Sequence, residues 1–202
     1  MIAGSFYEAS RTPAPAVVLL HMLSRTRHDW DEVATRFAAD GIACLAIDLR
    51  GHGESGLNPS GSNDDLLPMR LDVKAARIHL KTQPGILADR LGLAGASIGA
   101  NLAILDGATD PAVKALALLS AGLEYRNLRP EGALRNYDKR PALLVASTED
   151  AYAVRSILKF ETMGGGLRQV QYYDGAGHGT VMLGRRPELV DLLVDWFKSR
   201  LL

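Results

Sequence analysis

Three kinds of side chain, far apart in this sequence, could together carry out nucleophilic chemistry. They are the hydroxyl of Ser97, the carboxylate of Asp150 or its neighbour Glu149, and the imidazole of His178. A serine hydroxyl attacks poorly until a base takes its proton, and an imidazole suits that task near neutral pH. The imidazole in turn needs a carboxylate to fix its tautomer and stabilise its charged form. Ser97 lies in Gly95-Ala96-Ser97-Ile98-Gly99, a G-x-S-x-G pentapeptide. That spacing suits a serine on a sharp strand-to-helix turn, where a strained backbone needs almost no side chain two residues to either side. The following helix would aim free N–H groups at developing negative charge. The pentapeptide is short, and alone it reads equally well as a small-residue turn in which Ser97 merely caps a helix.

The elements that must position these groups follow from the apolar runs. Residues 5–8 form one short predicted strand, and Pro13 and Pro15 then break the chain. Continuous apolar runs at 16–20, 42–47, 91–96, 113–119 and 142–146 read as strands covered on both faces. A less apolar run at 170–173 reads as a strand near an edge. Between them lie predicted helices at 30–40 (capped by Asp29, closed by Gly41), 69–82, 98–105, 152–163 and 186–201. In the second of these, Leu71, Ala75, Ile78 and Leu80 are expected to face inward. In the last, Leu189, Leu192, Leu193, Trp196 and Phe197 are. Strands alternating with helices, without repeat or linker, predict an α/β fold: a mostly parallel open sheet of six or seven strands, covered by helices on both faces.

In such a sheet functional groups collect beyond the carboxyl ends of the strands. His21-Met22-Leu23 follows the first long strand, and Asp48 with a glycine-rich loop follows the next. Ser97 follows the run at 91–96, Ser147-Thr148-Glu149-Asp150 ends the run at 142–146, and Asp174-Gly175-Ala176-Gly177-His178-Gly179 follows 170–173. Serine, acid and histidine thus occupy three strand ends in the chain order of a nucleophile-elbow hydrolase. On these residues, and on Asp48-Leu49-Arg50-Gly51-His52-Gly53-Glu54-Ser55, the chain resembles the α/β-hydrolase superfamily over essentially its whole length, as one domain spanning 1–202.

The resemblance implies Ser97 as nucleophile, His178 as base and then acid, and Asp150 as the carboxylate. Glu149 is the competitor, and Ser147 stands where the family usually has glycine. It also implies an oxyanion hole with one donor at the N–H of Ile98. The second donor comes from the loop after Leu20, where the family often has His-Gly-x. Here Met22 replaces the glycine, leaving Leu23 or Met22 as the donor and His21 as a brace for the loop. Relatives often insert a helical lid after the strand that follows the elbow, but only residues 121–140 separate the runs here. An open cleft for small or short-chain esters is therefore expected, with thioesters and lactones as alternatives and a non-catalytic ligand-binding scaffold as another.

Composition narrows the partners. Lys+Arg and Asp+Glu number 23 each in 202 residues, so nothing favours a nucleic acid or a charged membrane surface. Gly51-His52-Gly53-Glu54-Ser55-Gly56 matches G-x-G-x-x-G, but Leu57-Asn58-Pro59-Ser60-Gly61 starts no helix to meet a pyrophosphate. His28, His52 and His79 have no spacing for a shared metal, and no cofactor is expected. Cys44, the single cysteine, sits in an apolar run and reads as a buried thiol. With neither a signal-peptide pattern nor a membrane-length apolar run, the expected location is the cytoplasm. Oligomeric state is not readable.

Overall fold

The computed structural model describes residues 1–56 and 65–202. The stretch 57–61, read above as a loop without a helix start, lies outside the described residues. Seven strands form one sheet: β1 (Gly4–Tyr7), β2 (Ala14–Leu20), β3 (Ala43–Ile47), β4 (Ile86–Ala96), β5 (Val113–Leu119), β6 (Ala142–Ser147) and β7 (Arg168–Tyr173). Their order is β1-β3-β2-β4-β5-β6-β7, with β1 antiparallel to β3 and the other pairs parallel. The helices are α1 (Asp31–Ala39), α2 (Arg70–Lys81), α3 (Ile98–Gly107), α4 (Glu131–Asn136), α5 (Ala151–Phe160), α6 (Val181–Arg185) and α7 (Glu188–Leu201).

The period-two alternation of the strands divides the core into two layers. On β2, Val18 and Leu20 face the layer that holds Met69, Val73 and Leu80 from α2 and its entry, Leu102 from α3 and Ile157 and Phe160 from α5. Val17 and Leu19 face the layer of Trp30, Phe37, Leu189, Leu193, Trp196 and Phe197 around α1 and α7. Gly92 is needed in this second layer, since a Cβ there would lie 2.5 Å from the Phe197 ring.

Four expectations change on contact with the structure. α2 buries Asp72, Val73, Ala76, Arg77 and Leu80, while Leu71 and Ile78 are 61% and 48% exposed. The inward face includes two charges because each has a partner: Asp72 accepts from Arg50, and Arg77 reaches Asp106 at 2.6 Å and also Asp110. Asp29 does not cap α1; its carboxylate takes bonds from Arg25 and Thr180, and a short 3₁₀ turn over Arg27–Trp30 leads into the helix. The strand expected from Leu91 begins at Ile86, because Ala14 of β2 pairs there. On α7, Leu192 is only partly buried. The short helices α4 and α6 had no sequence signal. The segment between β5 and β6 carries only the six-residue α4, and no lid is inserted there.

Candidate active site

β2 sends the chain to β3 on one side and, later, to β4 on the other, so the crevice beyond their carboxyl ends is a topological switch point. Leu20 pairs with Gly95, which brings the His21–Leu23 turn beside the elbow. Ser97 sits at φ 53°, ψ −114°, and its side chain makes no cap bond to α3, so the turn-and-cap reading of the pentapeptide does not describe it. A left-handed φ on a serine is strained and survives only where its surroundings enforce it. The neighbours do so here. A Cβ on Gly95 would lie 2.2 Å from the Gly99 carbonyl oxygen, and one on Gly99 would lie 2.4 Å from that of Leu20. Each glycine is therefore fixed by a backbone contact that any side chain would break. Ile98 opens α3, so its N–H belongs to the first turn, which has no acceptor inside the helix.

The acid and imidazole meet because β6 and β7 are paired with Ser147 opposite Tyr173, so the loops leaving them run side by side. His178 Nδ1 lies 2.6 Å from Asp150 Oδ2. Asp150 is itself oriented, since its Oδ1 accepts from the Ala153 N–H at 3.1 Å as the N-cap of α5. With Nδ1–H donated to the carboxylate, Nε2 is free as an acceptor. The imidazole side chain is 48% exposed, against 14% for the carboxylate.

Glu149, the competing acid, is occupied elsewhere. Its carboxylate accepts from the Ser147 hydroxyl at 2.5 Å, from Gly177 N–H at 2.9 Å and from Gly175 N–H at 3.0 Å. The Ser147 oxygen in turn accepts from Ala176 N–H at 2.8 Å. Three successive N–H groups of the histidine loop thus converge on one side-chain pair, an anion-binding nest. The Ser147 bond first, and then that of Gly177, pull the Glu149 carboxyl down to about 2. Gly175 and Gly177 have φ of 63° and 86°, which glycine adopts without strain. Ser147, in place of a usual glycine, was the one sequence sign of this clip.

His21 is fully buried, with Nδ1 2.7 Å from the Met22 carbonyl oxygen and Nε2 accepting from Leu49 N–H at 2.9 Å. Burial pulls its pKa below the ordinary 6.5, and the adjacent His52 ring pushes the same way against the Met22 bond. The imidazole is a neutral bracket between the β2 and β3 ends, as its expected role as a brace requires. Asp48, also fully buried, is held by Arg27 N–H at 2.7 Å, by Glu54 N–H at 2.9 Å and by the Arg27 guanidinium. Burial alone would raise its carboxyl; those N–H groups and the guanidinium outweigh it and hold it below the ordinary value. A Cβ on Gly53 would lie 2.2 Å from that carboxylate. Gly53 of this loop therefore packs on Asp48, so the loop wraps that carboxylate rather than forming a phosphate cradle.

Ser97, Ile98, Met22, Leu23 and His178 line one cavity of about 320 Å³, completed by Asn101, Ser120, Gly122, Tyr125 and Tyr152. Sequence reasoning missed the last group. Ser120 was within reach of the strand-end rule, since it directly follows β5; its hydroxyl oxygen accepts from Gly179 N–H at 3.0 Å. Met22 packs on the same loop, where a Cβ on Gly179 would lie 2.6 Å from its sulfur. Among the described residues no cluster of His, Cys, Asp and Glu could hold a metal ion. No helix among them is long and apolar enough to cross a membrane.

This chain is similar in fold to several solved structures. DcsB, determined with a substrate analogue, superposes with a TM-score of 0.86 at 17% identity, covering 98% of this chain and 95% of that one. Dienelactone hydrolase from Anabaena variabilis gives 0.75 at 21% identity, over 100% and 93% of the two chains. In sequence, the thiohydrolase apmlB of Arthrinium phaeospermum is 31% identical over 144 residues, 68% of this chain and 45% of the relative. The chain spans less than half the length of the curated relatives it matches. A family model described as serine aminopeptidase, S33, matches residues 11–137. That match runs from the start of β2 through the elbow to the end of α4, well over half of the sequence, and the chain belongs to this family of α/β-hydrolases.

Proposed function

We propose that the protein is a serine hydrolase that cleaves carboxylic esters of small or short-chain substrates through an acyl-enzyme intermediate. The observation that carries this reading is the 2.6 Å contact of His178 Nδ1 with Asp150, made beside a strained elbow whose Ser97 shares a cavity with that imidazole. Ser97 Oγ attacks the ester carbonyl carbon while its proton passes to His178 Nε2. The carbonyl oxygen, now negative, is received by the N–H of Ile98 and by a backbone N–H of the Met22–Leu23 turn. The imidazolium, steadied by Asp150, gives its proton to the departing alkoxide, and the alcohol leaves with the acyl group on Ser97. Water then attacks the acyl carbon as His178 takes its proton, and the acid departs with Ser97 restored. The chemistry asks for no cofactor.

A thioester is the second reading, favoured by the 31% identity to a protein named as a thiohydrolase. The same residues serve it, with a thiolate leaving instead of an alkoxide. One set of assays tests both. Reaction with a fluorophosphonate probe followed by peptide mapping should modify Ser97, and p-nitrophenyl acetate and butyrate should be hydrolysed faster than long-chain esters or the matching thioesters. Ser97→Ala should abolish labelling and turnover, His178→Ala should reduce both strongly, and Ser55→Ala should retain them. Turnover surviving in Ser97→Ala, or a label on another residue, would end the proposal; faster thioester hydrolysis would transfer it to the second reading.

A further inference from the structure

One side of the cavity is built by residues 121–128, and its attachment is unusual for a surface segment. Three successive backbone N–H groups are each taken by a side chain. Gly122 donates to Asn101 Oδ1 at 3.0 Å, Leu123 to Ser156 Oγ at 3.2 Å and Glu124 to the Tyr152 hydroxyl at 2.9 Å. The Tyr152 hydroxyl also donates to the Glu124 carbonyl at 2.6 Å, so one phenol closes both backbone groups of a single residue. Ser156, one helical turn further on, donates to the Tyr152 carbonyl at 2.7 Å. The segment then reverses through Arg126 and Asn127, at φ 44° and 70°, and Tyr125 pairs with Leu128 in both directions at 3.2 and 2.9 Å.

These anchors come from two places that matter. Asn101 is four residues beyond Ser97 on α3, and Tyr152 is two residues beyond Asp150 on α5. The segment is therefore fastened to the same two helices that carry the nucleophile and the acid, and it cannot swing away without breaking bonds to them. A loop pinned in this way is a fixed wall rather than a lid. Gly122 leaves no slack against it, because a Cβ there would lie 2.8 Å from the Tyr152 ring. The cavity volume of about 320 Å³ is at the small end for ligand pockets, generally on the order of 300–1,000 Å³.

Resting on the serine-hydrolase reading above, we propose that Tyr152 is a specificity-determining residue. Its double bond to Glu124 fixes the wall and sets the limit on substrate chain length, so the cavity takes short acyl or alkyl groups and rejects long ones. A hydrocarbon pocket discriminates by about tenfold or more per excluded methylene.

The test measures the rate at which Ser97 is labelled by ethyl- and octyl-substituted fluorophosphonates, in the intact chain, by mass spectrometry. Wild type should favour the ethyl probe. Tyr152→Phe, which keeps the ring and loses both bonds, should raise the octyl-to-ethyl ratio by about tenfold, and Tyr152→Ala should raise it further. Tyr152 is 42% exposed, so folding should survive either change, and unchanged urea midpoints would check it. An equal ratio in wild type and both folded variants overturns the wall, as does a wild-type preference for octyl. Failure of both probes to label Ser97 in wild type overturns the serine-hydrolase reading itself, and the wall with it.

Discussion

Asp150 and Glu149 are adjacent and chemically alike, yet the fold gives them opposite tasks. Asp150 faces the imidazole at 2.6 Å, and Glu149 is turned into the backbone of the loop that carries it. Under the proposed function their variants should separate. Asp150→Asn removes the charge that stabilises the imidazolium and fixes its tautomer, and should lower kcat by about 10³–10⁴-fold. Glu149→Gln keeps one acceptor but turns an NH₂ toward N–H donors. It should lower kcat by about tenfold with KM little changed, because only the placement of the base suffers. Steady-state kinetics on a short ester decides this, and a larger loss in Glu149→Gln would reverse the assignment. In the sequence the two were distinguishable only by spacing to the strand. Their orientation depends on φ and ψ at the start of α5 and on the glycines of a loop 28 residues away.

Single elements carry predictions of their own. Gly99→Ala forces a methyl to 2.4 Å from the Leu20 carbonyl oxygen, a backbone atom that cannot yield without moving β2. We expect a stability loss of about 3 kcal/mol or more, read as a fall in urea midpoint. His21 links β2 to β3 and gives a pH dependence whose sign is fixed. Its folded pKa lies below 6.5, so on acidification the unfolded chain takes up the proton first. Stability should therefore fall as pH drops below about 6.5, until the folded imidazole also titrates. Asp48 and Glu149 are depressed carboxyls. Their contributions are present above ordinary values of 3.8 and 4.5 and are lost only at still lower pH. Urea midpoints at pH 7.5 and 5.5 should thus differ less in His21→Gln than in wild type. β5 was readable to the residue as Val113–Leu119, because a strand buried on both faces is a continuous apolar run. The face of α2 was not, because its buried side includes two charged residues, Asp72 and Arg77, neutralised by partners outside the helix.

At the scale of the whole molecule, one buried ionic cluster ties α2 to the end of α3 and the turn that follows it. Arg77 is almost fully buried, bonds Asp106 at 2.6 Å and also reaches Asp110, where Lys81 joins at 2.7 Å. Arg77→Ala leaves the buried Asp106 carboxylate without its cation and should cost about 3–5 kcal/mol in thermal or urea unfolding. Replacement of both Arg77 and Asp106 by apolar residues of similar volume should recover much of that loss. A small effect of the single variant would show that water reaches the cluster.

The chain order of serine, acid and histidine, the elbow glycines and the alternation of apolar runs are local properties, and the sequence by itself determined the layered fold and the groups at its strand ends. Hydrophobic period and steric need at a turn act within a few residues, so they leave a readable trace. Tertiary structure decided which carboxylate meets the imidazole, how three consecutive N–H groups of residues 122–124 are fastened, and how small the cavity is. Those outcomes depend on strand register and on side chains reaching across tens of residues, where no local pattern records which partner will arrive.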